Sequence, residues 1–276
     1  DHTFMLGNTI EEIALNKAGI AKPGTKMYLS RQRAYPQAEA VVQKRALEKG
    51  ASEVEIVSNE LPEDVSLGLA GEFQRDNAEL AVKLVKEHLN RLDGSNLIDG
   101  VPQEFLTGLA DARWEGRCQT VHDEHGITWR IDGAHTIELV TAASQWFLSL
   151  PHSKTRVLLF NQQSRDNSRE LLTTLHTHAG SFDHALFSTN VTWDLGYNPD
   201  LVSLNTLKEQ VDKLEVQRQL AETWGTLDKN SVTRTTANIE AAVKFIRSLG
   251  PVEVFVCGSL HLVGGVLVVL DGQDEQ

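Results

Sequence analysis

Asp132-Gly133-Ala134-His135 places a carboxylate and an imidazole directly after an apolar run that ends at Ile131. The run reads as a strand, Gly133 permits a tight turn, and a helical pattern starts close behind. Free N–H groups and the dipole at such a helix start suit an anion. At that junction Asp132 could accept hydrogen bonds from a ribose and His135 could face a phosphate or carboxylate. The alternative is that Asp132 caps the helix and His135 is solvated. Arg117, in Trp114-Glu115-Gly116-Arg117, precedes a strand; its guanidinium either holds phosphate oxygens in a bidentate fork or is surface charge. Cys257-Gly258-Ser259 makes a second strand-turn-helix junction, with Ser259 as a donor to an anion, although glycines serve close packing at a sheet end equally well. Asn161 ends the Val157 to Phe160 strand and is followed by Arg165 and Asp166, a position for substrate or nucleotide contact unless Asp166 caps the next helix.

Earlier in the chain, Thr9 and Glu12 form a T-x-x-E capping box, Gly19 is placed to stop the helix, and Pro23 lies just beyond. Ile10, Ile13, Ala14 and Lys17 fall at i, i+3, i+4 and i+7, so a lysine occupies the apolar stripe. Either it snorkels, or desolvation favours its neutral amine, which makes it a nucleophile or a target for carbamate formation. His2 could ligate a metal or be structural. Asn77, near the start of the pattern Ala78, Ala81, Val82, Val85, Leu89, either caps that helix or hydrogen-bonds a planar base.

These residues need a scaffold, and the periodicities supply one. The first half reads as helix, strand 26–29, helix 36–49 ended by Gly50, strand 54–57, then the long helix after Gly71 and a short one from Pro102 to Ala112. A domain boundary falls near Arg113, giving domains 1–112 and 113–276. The second domain opens with a hairpin turning in four residues through Gly126, followed by strands 156–160, 184–188, 232–235 and 252–257. Helices are expected at 137–148, 168–178, 201–224 and 239–249, with a last one after Ser259. This alternation predicts an α/β fold with a mainly parallel sheet and helices on both faces.

Composition is that of a globular chain, with 41% apolar and 23% charged residues among 276. A formal charge of −12 and the lack of a Lys/Arg cluster argue against broad nucleic-acid binding. Cys118 and Cys257 are too few for a disulfide framework or zinc cluster and read as small buried hydrophobes. No run approaches the roughly 18 consecutive apolar residues of a membrane span. Asp1 has no methionine before it, and the opening residues read as the middle of a domain.

Taken in order, DHTFMLGNTIEEIALNKAGIAKPG, GLAGEFQRDNAELA, WEGR, DGAHT, LLFNQQSRD and VCGSLHLVGGVL resemble the folylpolyglutamate synthase family of the Mur-ligase superfamily. The resemblance implies a remnant of a central P-loop ATPase domain followed by a Rossmann-like C-terminal domain, with the active site in the cleft between them. It also implies an ATP-dependent ligase. The γ-carboxylate of a tetrahydrofolate or its terminal glutamate becomes an acyl phosphate, which the amine of L-glutamate attacks, releasing phosphate. By similarity Lys17 is the carbamylated lysine, His2 a Mg2+ ligand, and Asn77, Arg117 and Asp132 contact the base, phosphate and ribose of ATP. His135 and Ser259 match positions near the glutamate and acyl phosphate. The family also leaves room for a monovalent cation, a monomeric state, and a cytoplasmic or mitochondrial location.

Phe73 and Glu115 depart from the histidine and proline usual in the family, and neither is assigned a role. A larger departure is that no G-x-x-x-x-G-K-[ST] run occurs, so the chain is expected to be the C-terminal part of such an enzyme, weak in ATP binding and negligible in turnover alone. The rival readings are a noncatalytic nucleotide-binding or interaction module, and a bifunctional dihydrofolate synthase.

Overall fold

Thr9 and Glu12 exchange the two bonds of a capping box, Glu12 N–H donating to Thr9 Oγ1 at 3.2 Å and Thr9 N–H to Glu12 Oε2 at 3.3 Å, so α1 starts where the sequence places it, Ile10–Lys17. The computed structural model describes residues 6–71, 73–93, 100–151, 155–162, 167–193 and 214–272. His2, Arg165, Asp166 and the first part of the helix expected from Leu201 lie outside them. Gly19 does not end α1. The chain tightens into a 3₁₀ turn, Ala18–Ile20, and the buried stripe runs through Ala14 and Ala18.

Contacts divide the chain into two units, Asp1–Arg113 and Trp114–Gln276. In the first, β1 (Lys26–Ser30) and β2 (Glu53–Val57) pair in parallel around α2 (Gln37–Glu48), followed by α3 (Phe73–Asp93) and α4 (Gln103–Asp111). Gly50, at φ +87°, takes the chain from α2 toward β2. The apolar clusters here are built largely from small residues: Ala14, Ala18, Ala38 and Val42 in one, and Ala21, Ala46 and Ala51 in another.

The second unit contains a six-stranded sheet in the order β3-β4-β8-β5-β6-β7. Its strands are β3 (Gln119–His122), β4 (Thr128–Ile131), β5 (Thr155–Phe160), β6 (His184–Ser188), β7 (Val232–Thr236) and β8 (Val252–Cys257). Only the β3/β4 hairpin is antiparallel, and its register pairs His122 with Thr128, so the connection is five residues rather than four. The helices are α5 (Ile137–Ser149), α6 (Ser168–Ala179), α7 (Glu215–Leu227), α8 (Ile239–Ser248) and α9 (Leu260–Asp271).

Successive crossovers from β4 to β7 travel one way across the sheet, and the return from β7 to β8 travels the other. Right-handed crossovers then require opposite faces. Accordingly α5, α6 and α7 contact one another in sequence, while α8 packs on α9. Every residue of β8 is buried, as a central parallel strand demands. Val252, Val254 and Val256 join Ile239, Val243 and Leu262 in one core, whereas Phe255 stacks on Phe147 of α5 at 4.7 Å between centroids. β8 therefore lies where strand order reverses, between β4 and β5, the position at which open α/β sheets gather ligands.

Candidate functional site

Asp132 continues β4 by one bond, its N–H donating to Val256 O at 3.0 Å, and its side chain is then turned into the protein, 4% exposed. Oδ2 accepts from the N–H of Cys118 at 2.8 Å and from its thiol at 3.4 Å; Oδ1 accepts from Ala134 N–H at 2.8 Å. Burial raises the Asp132 pKa above the ordinary carboxylate range, against the opposing pull of the Cys118 donors and of Arg117. Burial, then Asp132 itself, holds the Cys118 thiol well above its usual range, so it stays the S–H donor.

Backbone bonds lock three turns around this carboxylate. Gly133 N–H donates to Gly116 O at 2.9 Å, and Gly258 N–H donates to Ala134 O at 2.7 Å. Gly258 has φ +99°, and a Cβ there would collide with the Asn161 carbonyl. The structure thus brings the ends of β4, β8 and β5 together with the turn before β3.

Of the residues singled out in this unit, Arg117 is half-buried beside Gly133, whose missing Cβ would stand 3.0 Å from its Nη1. His135 Nδ1 lies 2.8 Å from Gly133 O; since a carbonyl only accepts, Nδ1 carries the proton. Ser259 is the N-cap of α9, its Oγ accepting from Leu262 N–H at 3.4 Å, so its first role is capping while its hydroxyl proton can still be donated. Asp132 does not cap α5. Thr136 does, accepting from Leu139 N–H at 3.4 Å, because the helix starts five residues beyond Asp132 and out of its reach.

Asn161 is fully buried, donating to Asn190 Oδ1 at 2.8 Å and accepting from Gln217 Nε2 at 3.0 Å, which commits its carboxamide to a network at the ends of β5 and β6. Neither Asn190 nor Gln217 stands out in the sequence, since each acquires meaning only from the pairing of distant elements. Cys118 was also missed as part of the site: it read as a small buried hydrophobe, and the left-handed φ of +43° that aims its N–H at Asp132 left no compositional mark.

In the first unit, Lys17 is exposed at the end of α1, so the desolvated reading of its amine does not hold within that unit. Asn77 sits inside α3 rather than at its cap, exposed, and donates to Gln74 Oε1 at 3.0 Å. His2 lies outside the described residues. Among the described residues no group of three or more His, Cys, Asp or Glu could hold a metal ion, and no helix is long and apolar enough to cross a membrane.

Fold and site together define a doubly wound α/β unit with a buried carboxylate at its switch point, preceded by a smaller βαβ-containing unit. The chain is related over its whole length to the folylpolyglutamate synthases. It is 45% identical over 304 residues to the folylpolyglutamate synthase of Candida albicans, with 100% of this chain and 59% of that protein covered. To the folylpolyglutamate synthase of Saccharomyces cerevisiae (strain FostersO) it is 44% identical over 292 residues, covering 99% and 52% respectively. Its fold matches Mycobacterium tuberculosis folylpolyglutamate synthase complexed with ADP and AMPPCP at a TM-score of 0.69 and 22% identity, over 99% of this chain and 62% of that one. The chain thus spans between half and three fifths of the length of these curated relatives. No protein-family model matches it.

Proposed function

We propose that this chain carries part of an ATP-dependent ligase that adds L-glutamate to the γ-carboxylate of a tetrahydrofolate or its polyglutamate, acting with a phosphate-binding loop that its own residues do not include. The reading is carried by the convergence of three turns on Asp132 in a chain 45% identical, end to end, to a folylpolyglutamate synthase. ATP would supply the activating phosphoryl group: the carboxylate oxygen attacks the γ-phosphorus, ADP leaves, and the glutamate amine then displaces phosphate from the acyl phosphate.

This chain's residues would bind and orient. Arg117 offers a guanidinium to phosphate oxygens. Asp132, with lone pairs beyond the three bonds it already accepts, would take a ribose hydroxyl. His135, with its proton held on Nδ1, would present Nε2 as an acceptor to the incoming amine, and Ser259 would donate beside it. Asn77 would contact the adenine, and Lys17, as a carbamate, would exchange a cation for an anion that positions substrate. Mg2+ would neutralise the transferring phosphoryl group, with His2 as one ligand. Cytoplasm or mitochondrion is the proposed location.

The test is a chimera in which these residues replace the matching region of the Candida albicans enzyme. Labelled glutamate should enter tetrahydrofolate only with ATP present. A folded chimera that binds ADP but makes no product would overturn the proposal.

A further inference from the structure

Asp132 sits between the two candidate ligand-binding side chains, Arg117 and His135, in an unusual way, because it holds the backbone immediately next to each. Oδ2 takes the N–H of Cys118, the residue after Arg117, and Oδ1 takes the N–H of Ala134, the residue before His135. Gly133, between Asp132 and Ala134, ties the same two segments together through its N–H bond to Gly116 O, and its carbonyl accepts from His135 Nδ1. The carboxylate is therefore the hub from which both side chains are displayed. A carboxylate rotates unless its donors fix it, and Cys118 is the residue that supplies two of the three. Its backbone is in the left-handed region at φ +43°, sparsely populated by non-glycine residues, and it is 6% exposed. A buried side chain held in that conformation with its thiol on a carboxylate oxygen is more than a space-filling hydrophobe.

We propose that Cys118 is a positioning residue for this site: its N–H and S–H together orient the Asp132 carboxylate, and Asp132 so held sets the backbone that presents Arg117 and His135. The titratable and charged groups that act on Asp132 are Cys118 and Arg117 from the turn before β3 and Cys257 from the end of β8, whereas His135, from its own loop, bonds the Gly133 carbonyl. Cys257 is buried and wholly thiol, so it adds no competing charge. The thiol is the one donor in this set that can be removed without touching the backbone. What Asp132 serves depends on the nucleotide reading above; that Cys118 orients it does not.

The experiment uses the whole 276-residue chain with side-chain 13C-labelled aspartate, the Asp132 resonance being assigned by its loss in Asp132→Asn. Its titration is followed by NMR in wild type, Cys118→Ser, which keeps a donor, and Cys118→Ala, which does not. Removing a hydrogen bond to the ionised form should move the Asp132 midpoint upward by about half a pH unit or more in the alanine variant, with serine restoring it. Identical midpoints in wild type and the alanine variant overturn the proposal.

Raman spectroscopy of the wild type keeps the test open if a variant does not fold. One of the two S–H stretching bands should be displaced to lower frequency, and the displacement should fade as pH falls through the Asp132 midpoint. Two bands at the free-thiol position at every pH would equally overturn it. ADP affinity of the Candida albicans chimera described above, carrying cysteine, serine or alanine at position 118, then separates the two readings. The alanine chimera should bind about threefold to tenfold more weakly than the cysteine and serine ones, the scale of one hydrogen bond. Unchanged affinity despite a shifted midpoint refutes the step from Cys118 to the site, whereas no ADP binding by the folded cysteine chimera with the shift intact refutes the nucleotide reading alone.

Discussion

Asp132 is an acid whose burial outweighs its donors, and this has a thermodynamic sign. Its folded pKa lies above the value of about 3.9 expected in the unfolded chain, so the folded state holds the proton more tightly. The stabilisation this gives is present below the unfolded pKa and is lost as pH rises through the folded one. The carboxamide of an Asp132→Asn variant cannot titrate. The difference in unfolding free energy, wild type minus variant, should therefore fall as pH is raised from about 3.5 toward neutrality, then level off once Asp132 is ionised in both states. Urea denaturation of the second unit at a series of pH values checks this; a difference that rises with pH would mean that the Cys118 and Ala134 donors outweigh burial. The same residue shows how far sequence reasoning reaches. The junction that carries Asp132 and His135 was legible because a strand, a glycine and a helix start are written contiguously around them. Cys118 was not, because fourteen residues and an antiparallel hairpin separate it from the carboxylate it holds.

At the scale of elements, the turns that make the site depend on glycine for two different reasons, and these predict unequal costs. Gly258 combines φ +99° with a Cβ position that would run into the main-chain carbonyl of Asn161, and neither can relax without moving β5 or β8. Gly133 has no such dihedral, and its Cβ would meet the end of the Leu260 side chain, which is 49% exposed and can swing away. Gly258→Ala should cost about 2–4 kcal/mol and Gly133→Ala about 1 kcal/mol or less, read from urea midpoints. Equal costs would show that the end of β8 is softer than its packing implies. The order of elements was readable for a related reason: buried parallel strands and amphipathic helices carry different periods, and the alternation of the second unit survives in the sequence. Helix ends were less legible. Gly19 looked like a stop and lies in a 3₁₀ continuation, because Ala18 remained available to bury against α2. Thr136 rather than Asp132 caps α5, since the extra turn between them is set by the Gly116 and Gly258 contacts, which no local pattern encodes.

Across the whole molecule the two units are built from different stock, and their stabilities should differ accordingly. The second unit buries Trp129, Trp224, Phe147, Phe160, Phe187 and Phe255 against a six-stranded sheet. The first buries mainly alanines and valines around two strands. Apolar burial contributes roughly 25 cal/mol per Å², and an alanine removes far less surface from water than an aromatic ring. A two-stranded sheet also leaves proportionally more backbone at its edges. Ion pairs such as Lys26 with Glu55 at 2.6 Å and Lys83 with Glu55 at 2.9 Å tie β1, β2 and α3 together, but partly exposed pairs contribute at most about 1 kcal/mol each. Native-state hydrogen exchange on the full chain should therefore find the slowest amides in β5 and β8, exchanging only on global unfolding, with β1 and β2 exchanging by opening of lower free energy. Raising urea should lose the first unit's protection before the second's, and high salt should weaken the first unit more, through screening of its ion pairs. Coincident loss of protection in β1, β2, β5 and β8 would mean that the chain unfolds as one cooperative body and that the alanine-rich unit draws stability from outside its own core.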